Sequence, residues 1–169
     1  YLLLLSSLLL PLLLLQKPMG AFALALCAWQ ILTLAELVDV LKLRESPISP
    51  VALALIGSFY YFKTGHQATL ASLQWESAFV PLHAVVYPWS PLMVGLNTFG
   101  GPILAGLGVP LVVLWKREVR GGGVAGEVAR ALSWWLLVVL GWGAVTAGGA
   151  GGLRRHLMLY RDRKSTRLN

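Results

Sequence analysis

Side chains that could carry acid–base or metal chemistry are few in this sequence and lie far apart. The three histidines, His66, His83 and His156, occupy separate segments, and no HxxxH or HExxH spacing is present. A zinc site would therefore need ligands from remote segments instead of the short ligand spacings that such sites favour. No Ser, Thr or Cys has an identifiable base partner. The sequence predicts no catalytic residue and no metal site.

The polar stretch TGHQATLASLQWE, residues 64–76, is the most informative loop of the chain. His66, Gln67 and Glu76 in this stretch could bind a polar headgroup, because they supply hydrogen-bond donors and acceptors beside apolar runs. A structured loop that satisfies its own backbone explains the same residues. The residue types alone favour the structured loop, and both interpretations stay open at this point.

Composition places these segments in a membrane. The 169 residues are 57% hydrophobic and 12% charged, and that charged share is about half of the ~25% usual in soluble domains. Basic residues such as Lys42, Arg44 and Lys116 flank the apolar runs, as they do in loops at a membrane surface. The net charge of +7 does not indicate nucleic-acid binding, because no basic stripe is interleaved with stacking aromatic residues. The one cysteine, Cys27, is expected to be a small buried hydrophobic residue.

The apolar runs predict an all-α fold, a polytopic transmembrane bundle of about four to six membrane helices. The run at 51–62 is short for a span, and 78–89 contains two prolines, which favours an interfacial or re-entrant piece. The long runs, the first of which we expect to be truncated, are 1–15, 19–41, 91–115 and 131–153.

One membrane domain is expected over residues 1–161, truncated at both ends. Residues 162–169, DRKSTRLN, are what the codons of a common DNA-sequencing adapter encode. We therefore expect this tail to be read-through that is not native.

Charged residues near the run ends predict where those ends lie. Glu36 and Asp39 are three residues apart, and Lys42 follows after three more. Because acidic groups facing lipid are costly, we expect them to face the bundle or the interface. Glu36 and Asp39 lie either at a hydrated helix end, where Asp39 pairs locally with Lys42, or in a path for a substrate or an ion. Lysines and arginines dominate 116–130, which predicts that this loop faces the cytosol.

Three motifs in order resemble a known family. They are TGHQATLASLQWE from residue 64, NTFG from residue 97 and RRHLM from residue 154. Over residues 57–160 the chain resembles the C-terminal membrane region of GPI ethanolamine phosphate transferases that act on the third mannose, and it looks most similar to fungal members. Upstream of residue 57 the support is hydropathy alone.

The resemblance implies a multi-pass protein of the endoplasmic reticulum membrane. Such proteins move phosphoethanolamine from phosphatidylethanolamine to a mannose hydroxyl of the GPI precursor. Their lumenal catalytic domain is similar to alkaline phosphatases, binds zinc through Asp and His and uses a Thr nucleophile. None of its motifs occurs in this sequence, so we expect no cofactor here and zinc in a domain outside the chain. The implied partners are the lipid bilayer, phosphatidylethanolamine and the GPI precursor, with a small accessory membrane subunit left open and nucleic acid excluded.

Under this resemblance, one set of polar residues is the candidate headgroup site at the lumenal face. A zwitterionic phosphodiester needs a cation for its phosphate, which Arg154 could supply through paired donors. Its ammonium needs a carboxylate or an aromatic face, as in Glu76 or Trp75. Helix-end anchoring and packing explain the same residues equally well. The candidates are His66, Gln67, Trp75, Glu76, Asn97, Arg154 and His156.

Two other classes of function stay open. A segment of a polytopic lipid or solute transporter would suit helices interrupted by Gly and Pro, with Glu36 and Asp39 in the transport path. No inverted repeat is visible to support it. A purely structural membrane subunit would leave the polar stretch at 64–76 unexplained.

The 169-residue chain expressed alone is expected to transfer no phosphoethanolamine and to bind no stoichiometric zinc. The reason is the lack of a ligand cluster and of an activated nucleophile in the sequence. Metal analysis of the purified chain checks this, and one tightly bound zinc ion per chain would show the prediction to be wrong.

Overall fold

The computed structural model of the chain describes residues 2–66, 73–81, 83–116 and 123–165, without the side chains of residues 2, 4 and 153–165. Every regular element within these residues is helical, which confirms the all-α prediction. The chain divides into two compact units, Tyr1–Leu136 and Leu137–Asn169.

The helices follow the apolar runs of the sequence. The run predicted at 19–41 is one helix, the run at 51–62 lies inside another, and the last helix extends beyond 131–153 at both ends. The elements are α1 Leu2–Leu15, α2 Pro18–Val40, α3 Ile48–Lys63, a 3-10 helix Trp75–Phe79, α4 Trp89–Thr98, α5 Gly100–Leu114 and α6 Val124–Ser165.

The core of the first unit lies where α2, α3 and α5 pack together. Buried residues on α2 recur at helical spacing, including Leu24, Ile31 and Val38, so one face of an otherwise apolar helix is committed to protein contacts. Leu104 and Val112 on α5 belong to the same buried cluster. Leucines on the other faces remain exposed, as expected for helices surrounded by lipid.

Two glycines set the distance between α3 and α5. A Cβ atom on Gly57 would lie 2.9 Å from the Cβ atom of Ala105, and one on Gly101 would lie 3.0 Å from the Cβ atom of Tyr60 and 3.2 Å from the Gly57 carbonyl oxygen. No side chain fits at either position without displacing backbone. The helices therefore cross in the close manner that small residues allow in membrane proteins.

The apolar run at 91–115 is expected to form one long membrane segment. This expectation is wrong in one respect, because the run forms two helices bent by 77°. Pro102 explains the break. It has no N–H to donate to the carbonyl of Thr98, and its ring would clash with that carbonyl in a continuous helix. Accordingly α4 ends at Thr98 and α5 begins at Gly100.

Two helices are long and apolar enough to cross a membrane, Pro18–Val40 and Val124–Gly152. The bent pair of α4 and α5 adds a third only if it counts as one broken span or a re-entrant loop. Because α3 and α1 are shorter apolar helices, the residues that the structure describes support two to three candidate spans. The predicted number of four to six is not confirmed.

Ion pairs join the C-terminal ends of α2 and α5. The Lys116 ammonium donates to both carboxylate oxygens of Glu36, at 2.8 and 2.7 Å. The Arg44 guanidinium pairs with the carboxylate of Asp39 and donates to the carbonyl oxygen of Trp115 at 2.8 Å. We call these four charged residues, Glu36, Asp39, Arg44 and Lys116, the charged end of the bundle.

The expected local pair between Asp39 and Lys42 is wrong, and Arg44 takes the place of Lys42. Lys42 has a positive φ of 55°, which turns the chain out of the helix instead of continuing it by another turn. The N–H of Leu43 then donates back to the carbonyl oxygen of Val38 at 3.0 Å. This reversal brings Arg44 to Asp39, so the acidic residues are neutralised at a helix end.

Within the described residues of 78–89, the segment predicted to be interfacial or re-entrant, no membrane helix forms before α4 begins at Trp89. The 3-10 helix ends at Phe79, and the described residues between there and Trp89 form bends and turns. The 3-10 helix packs against α4. No additional crossing therefore separates His66 from Asn97 along the described chain.

The second unit consists of the later part of α6. Its backbone stays helical from Leu137 through the glycines at 148–152 to Ser165, and the side chains of 141–152 are exposed. The glycines at 148–152 therefore do not interrupt the helix.

Replacing Gly101 by alanine is expected to destabilise the bundle by about 1–3 kcal/mol, the usual cost of overpacking a tight contact. The reason is that the new methyl group meets backbone atoms of α3. The midpoint of unfolding in mixed detergent micelles, followed by the helical circular-dichroism signal, measures it. Gly95→Ala is the matched control, because nothing lies within 4 Å of a Cβ atom there. Equal midpoints for the two variants would contradict the close contact.

The charged end and the segment around His83 are expected to lie on opposite sides of the membrane. Lys42, Arg44 and Lys116 place the charged end in the cytosol. A Cys27→Ala chain has no cysteine, so single cysteines can be placed at the exposed positions Glu45 and His83. In sealed vesicles with the cytosolic face outward, an impermeant maleimide should label Glu45→Cys directly and His83→Cys only after detergent. Equal labelling of both in sealed vesicles would contradict this topology.

Candidate functional site

Buried polar side chains gather at the end of the bundle opposite the charged end. They come from the α1–α2 junction, the segments between α3 and the 3-10 helix, and the end of α4. We call Gln16, His66, Gln74 and Asn97 the polar end. Gln74 is half-buried and the other three side chains are buried.

Gln16 ties the start of α2 to the end of α4. Its side-chain Nε2 donates to the backbone carbonyl oxygen of Asn97 at 2.6 Å. That carbonyl needs an outside donor, because the last carbonyls of a helix lack partners from a following turn. The break between α4 and α5 thus creates the acceptor that Gln16 fills.

Gln74 connects the ends of α3 and α4. Its side-chain Nε2 donates to the carbonyl oxygen of Thr64 at 3.3 Å, and its Oε1 accepts from Nδ2 of Asn97 at 3.4 Å. Both bonds are long, so each contributes little by itself. The Ser77 hydroxyl also donates to the Gln74 carbonyl at 2.8 Å, which fixes this residue at the start of the 3-10 helix.

His66 is buried, with only 1% of its surface exposed. Its ring lies 5.5 Å from that of Tyr61, which stacks in turn on Phe99 at 6.2 Å. Neither Nδ1 nor Nε2 of His66 has a hydrogen-bond partner among the residues that the structure describes. A buried polar group left without a partner costs about 1–3 kcal/mol, so this imidazole calls for a further donor or acceptor.

Other buried polar atoms near His66 also have no hydrogen-bond partner among the described residues. Oε1 of Gln16, Oδ1 of Asn97 and Oγ1 of Thr98 have no partner within the described part of the chain. All three can accept a hydrogen bond. The polar end is therefore short of donors, a condition that a hydrated or ligand-binding surface would relieve.

An apolar groove adjoins the polar end. Its volume is about 460 Å³, and its walls come from α1, the turn after the 3-10 helix, and α4. Leu15 in one wall directly precedes Gln16, and Leu96 in another directly precedes Asn97. The lining residues are Pro11, Leu14, Leu15, Val80, Pro81, Met93 and Leu96.

A charged pair lies at the surface beside these elements. The Lys17 ammonium is 3.8 Å from a carboxylate oxygen of Glu76, and their side chains are 65% and 85% exposed. Such an exposed pair is worth about 0–1 kcal/mol, so either partner can exchange it for another ion. Trp75, next to Glu76, is also exposed, as is common for tryptophan at a membrane–water interface.

The structure places the predicted site residues in three ways. His66 and Asn97 are buried in the polar end, whereas Trp75 and Glu76 lie on the exposed 3-10 helix. Gln67 lies outside the described residues. Arg154 and His156 belong to α6 in the second unit, and their side chains lie outside the description.

Sequence reasoning missed Gln16, Lys17 and Gln74. In the sequence, Gln16 and Lys17 appear only as a short polar break between two apolar runs. A single amide side chain beside a membrane helix nevertheless indicates a hydrogen-bonding role. No sequence pattern shows that Gln16 reaches Asn97, because the two are 81 residues apart. Among the described residues, no group of three or more His, Cys, Asp or Glu could hold a metal ion.

Comparison with curated proteins identifies relatives with one shared name. The chain is 41% identical over 117 residues to GPI ethanolamine phosphate transferase 3 of Eremothecium gossypii, a match that covers 69% of the chain and 12% of that protein. It is 31% identical over 148 residues to the protein of the same name from Schizosaccharomyces pombe, covering 87% of the chain and 16% of the relative. The human catalytic subunit of GPI ethanolamine phosphate transferase 3 is 39% identical over 67 residues, which is 38% of the chain and 6% of that protein.

The chain spans about 12% of the length of the first curated relatives that it matches. No family model matches it, and no solved structure matches it. The chain is thus homologous to a segment of GPI ethanolamine phosphate transferase 3, which confirms the resemblance found in the motifs.

Proposed function

We propose that this chain is part of the membrane region of a phosphoethanolamine transferase. The full-length enzyme adds ethanolamine phosphate from phosphatidylethanolamine to a mannose of the GPI precursor in the endoplasmic reticulum membrane. The polar end, together with the exposed Lys17, Trp75 and Glu76 beside it, holds the lipid headgroup at the lumenal face. A catalytic domain elsewhere in the protein carries the chemistry.

The main observation that supports this proposal is which part of the chain aligns with the relatives. Because the chain has 169 residues, any continuous match of 117 residues includes 53–117. That range contains most of α3, the 3-10 helix, α4 and α5. The similarity therefore extends over most of the polar end, including His66, Gln74 and Asn97.

The reaction explains why a membrane region needs a polar surface. The transfer breaks the bond between the phosphorus and the glycerol oxygen of the donor lipid, and forms a bond from phosphorus to the mannose oxygen. Diacylglycerol leaves, and the mannose hydroxyl gives up its proton. The acyl chains stay in the hydrocarbon while the phosphate reaches water, so binding energy at the interface positions the donor.

The charges at this surface suit a zwitterionic headgroup. Glu76 offers an exposed carboxylate to the ammonium, and Lys17 offers a cation to the phosphate. Trp75 adds an exposed aromatic face that also attracts an ammonium. His66 and Asn97 support this surface from below as buried polar groups.

Zinc and the nucleophile of the reaction belong to other parts of the full-length protein. The described residues offer no cluster that would hold a metal ion. In this proposal the chain binds and orients substrate, with the GPI precursor and a small accessory subunit as further partners.

The described residues do not favour the alternative of a transporter. The bend between α4 and α5 follows from Pro102 and from the close contact of Gly101 with α3. Glu36 and Asp39 are paired with Lys116 and Arg44 at a helix end. Neither feature needs a transport path to explain it.

The test uses the full-length enzyme with Glu76→Gln. Loss of an exposed charge contact is worth about 1 kcal/mol, so the apparent KM for phosphatidylethanolamine should rise about fivefold at unchanged protein abundance. Transfer is assayed across lipid concentrations in mixed micelles.

The matched control is Glu45→Gln, which makes the same change at an exposed carboxylate of the α2–α3 connection. It should leave KM unchanged. Normal kinetics in Glu76→Gln, or loss of activity through degradation alone, would mean that Glu76 takes no part in binding the donor.

A further inference from the structure

We propose that the groove between α1, the turn at Val80–Pro81 and α4 holds one acyl chain of a zwitterionic membrane phospholipid, with its headgroup at the Lys17–Glu76 pair. This inference rests on the proposed function only in taking the bound lipid to be the donor. The binding site itself stands on the geometry of the first unit.

The groove has the chemistry of an acyl-chain site. Its lining contains only Pro, Leu, Val and Met side chains. A volume of about 460 Å³ falls within the ~300–1,000 Å³ range of ligand pockets. Met93 adds an unbranched and polarizable side chain, which adapts to a flexible occupant.

The position of the groove favours lipid over a water-soluble ligand. Helix α1 carries no charged side chain, and its residues Leu3, Leu10 and Leu14 are exposed at 85%, 62% and 68%. Exposed leucines along an uncharged helix are typical of a surface that faces lipid. The groove beside it is therefore reached from the bilayer interior.

Charge complementarity decides the class of lipid. The ion pair lies close to the groove along the chain. Lys17 comes two residues after the lining residue Leu15, and Glu76 comes four residues before the lining residue Val80. Opposite charges 3.8 Å apart match a phosphate and an ammonium in the same headgroup. A purely anionic headgroup would meet Glu76 unfavourably, and diacylglycerol would leave both charges unused.

Unfilled acceptors point in the same direction. Gln16 and Asn97 follow groove residues in the chain, are at least nine-tenths buried, and have side-chain oxygens without a donor among the described residues. An ammonium group and the water around it supply donors. A transmembrane helix of a partner protein would fill the groove but would leave these acceptors and the surface ion pair unmatched.

The experiment uses the full-length protein in nanodiscs and phosphatidylethanolamine with a diazirine in one acyl chain. After irradiation, peptide mapping should find label in residues 11–15, 80–81 and 93–96. Excess phosphatidylethanolamine should compete at least about fivefold better than phosphatidylglycerol, which corresponds to ~1 kcal/mol of headgroup discrimination.

Variants separate the groove from the general lipid surface. Met93→Trp fills the groove and should lower this labelling at least threefold, whereas Leu92→Trp, at an exposed neighbour outside the lining, should not. Leu14→Trp is the second filling variant, at a position exposed enough to accept a larger side chain. Charge reversal at the exposed anion, Glu76→Lys, should remove the preference over phosphatidylglycerol, because the carboxylate that disfavours an anionic headgroup is then gone.

Several outcomes would overturn the inference. They are label spread evenly over exposed helix faces, no effect of either filling variant, or a copurified membrane polypeptide that blocks labelling and so assigns the groove to a partner helix. Transfer is assayed on the same preparations. Groove labelling without any transfer activity would refute the proposed function and still support the lipid site. Transfer activity without groove labelling would refute the lipid site and still support the proposed function.

Discussion

The close contact of α3 and α5 at Gly57 and Gly101 is the constraint on which the rest of the first unit depends. In a bilayer, lipid competes equally for apolar side chains, so helices associate where small residues let backbones approach. Here a Cβ atom on Gly101 would meet α3 backbone at 3.1–3.2 Å. This contact fixes α5 against α3, and Ile31 and Leu53 close around Gly108 further along the same helix.

The break in the apolar run at 91–115 lies next to this contact, because Pro102 directly follows Gly101. Pro102 ends α4 at Thr98, and the resulting bend leaves the backbone carbonyl of Asn97 buried at a helix end. Gln16, at the α1–α2 junction, donates to this carbonyl. A proline that looks like a packing irregularity in the sequence thus creates the buried acceptor that links the end of α4 to the α1–α2 junction.

The two ends of the bundle differ in how well their ionisable side chains are satisfied. At the charged end, Glu36 and Asp39 each have a cationic partner, and Arg44 also reaches a backbone carbonyl. At the polar end, neither ring nitrogen of His66 has a partner among the described residues, and the neighbouring Lys17 is paired with the exposed carboxylate of Glu76. Unsatisfied groups of this kind are costly to a fold and concentrate where a protein meets a ligand.

Sequence by itself determined the helical class, the membrane setting and the homology, because hydropathy and ordered motifs such as those at His66 and Asn97 are local properties. It also located the apolar run of α2 to within a residue. It could not determine the pairing of Asp39 with Arg44, the bend at Phe99, or the bond from Gln16 to Asn97. Those depend on a left-handed turn at Lys42 and on contacts between distant segments, which only tertiary packing decides because no local pattern encodes which helix ends meet.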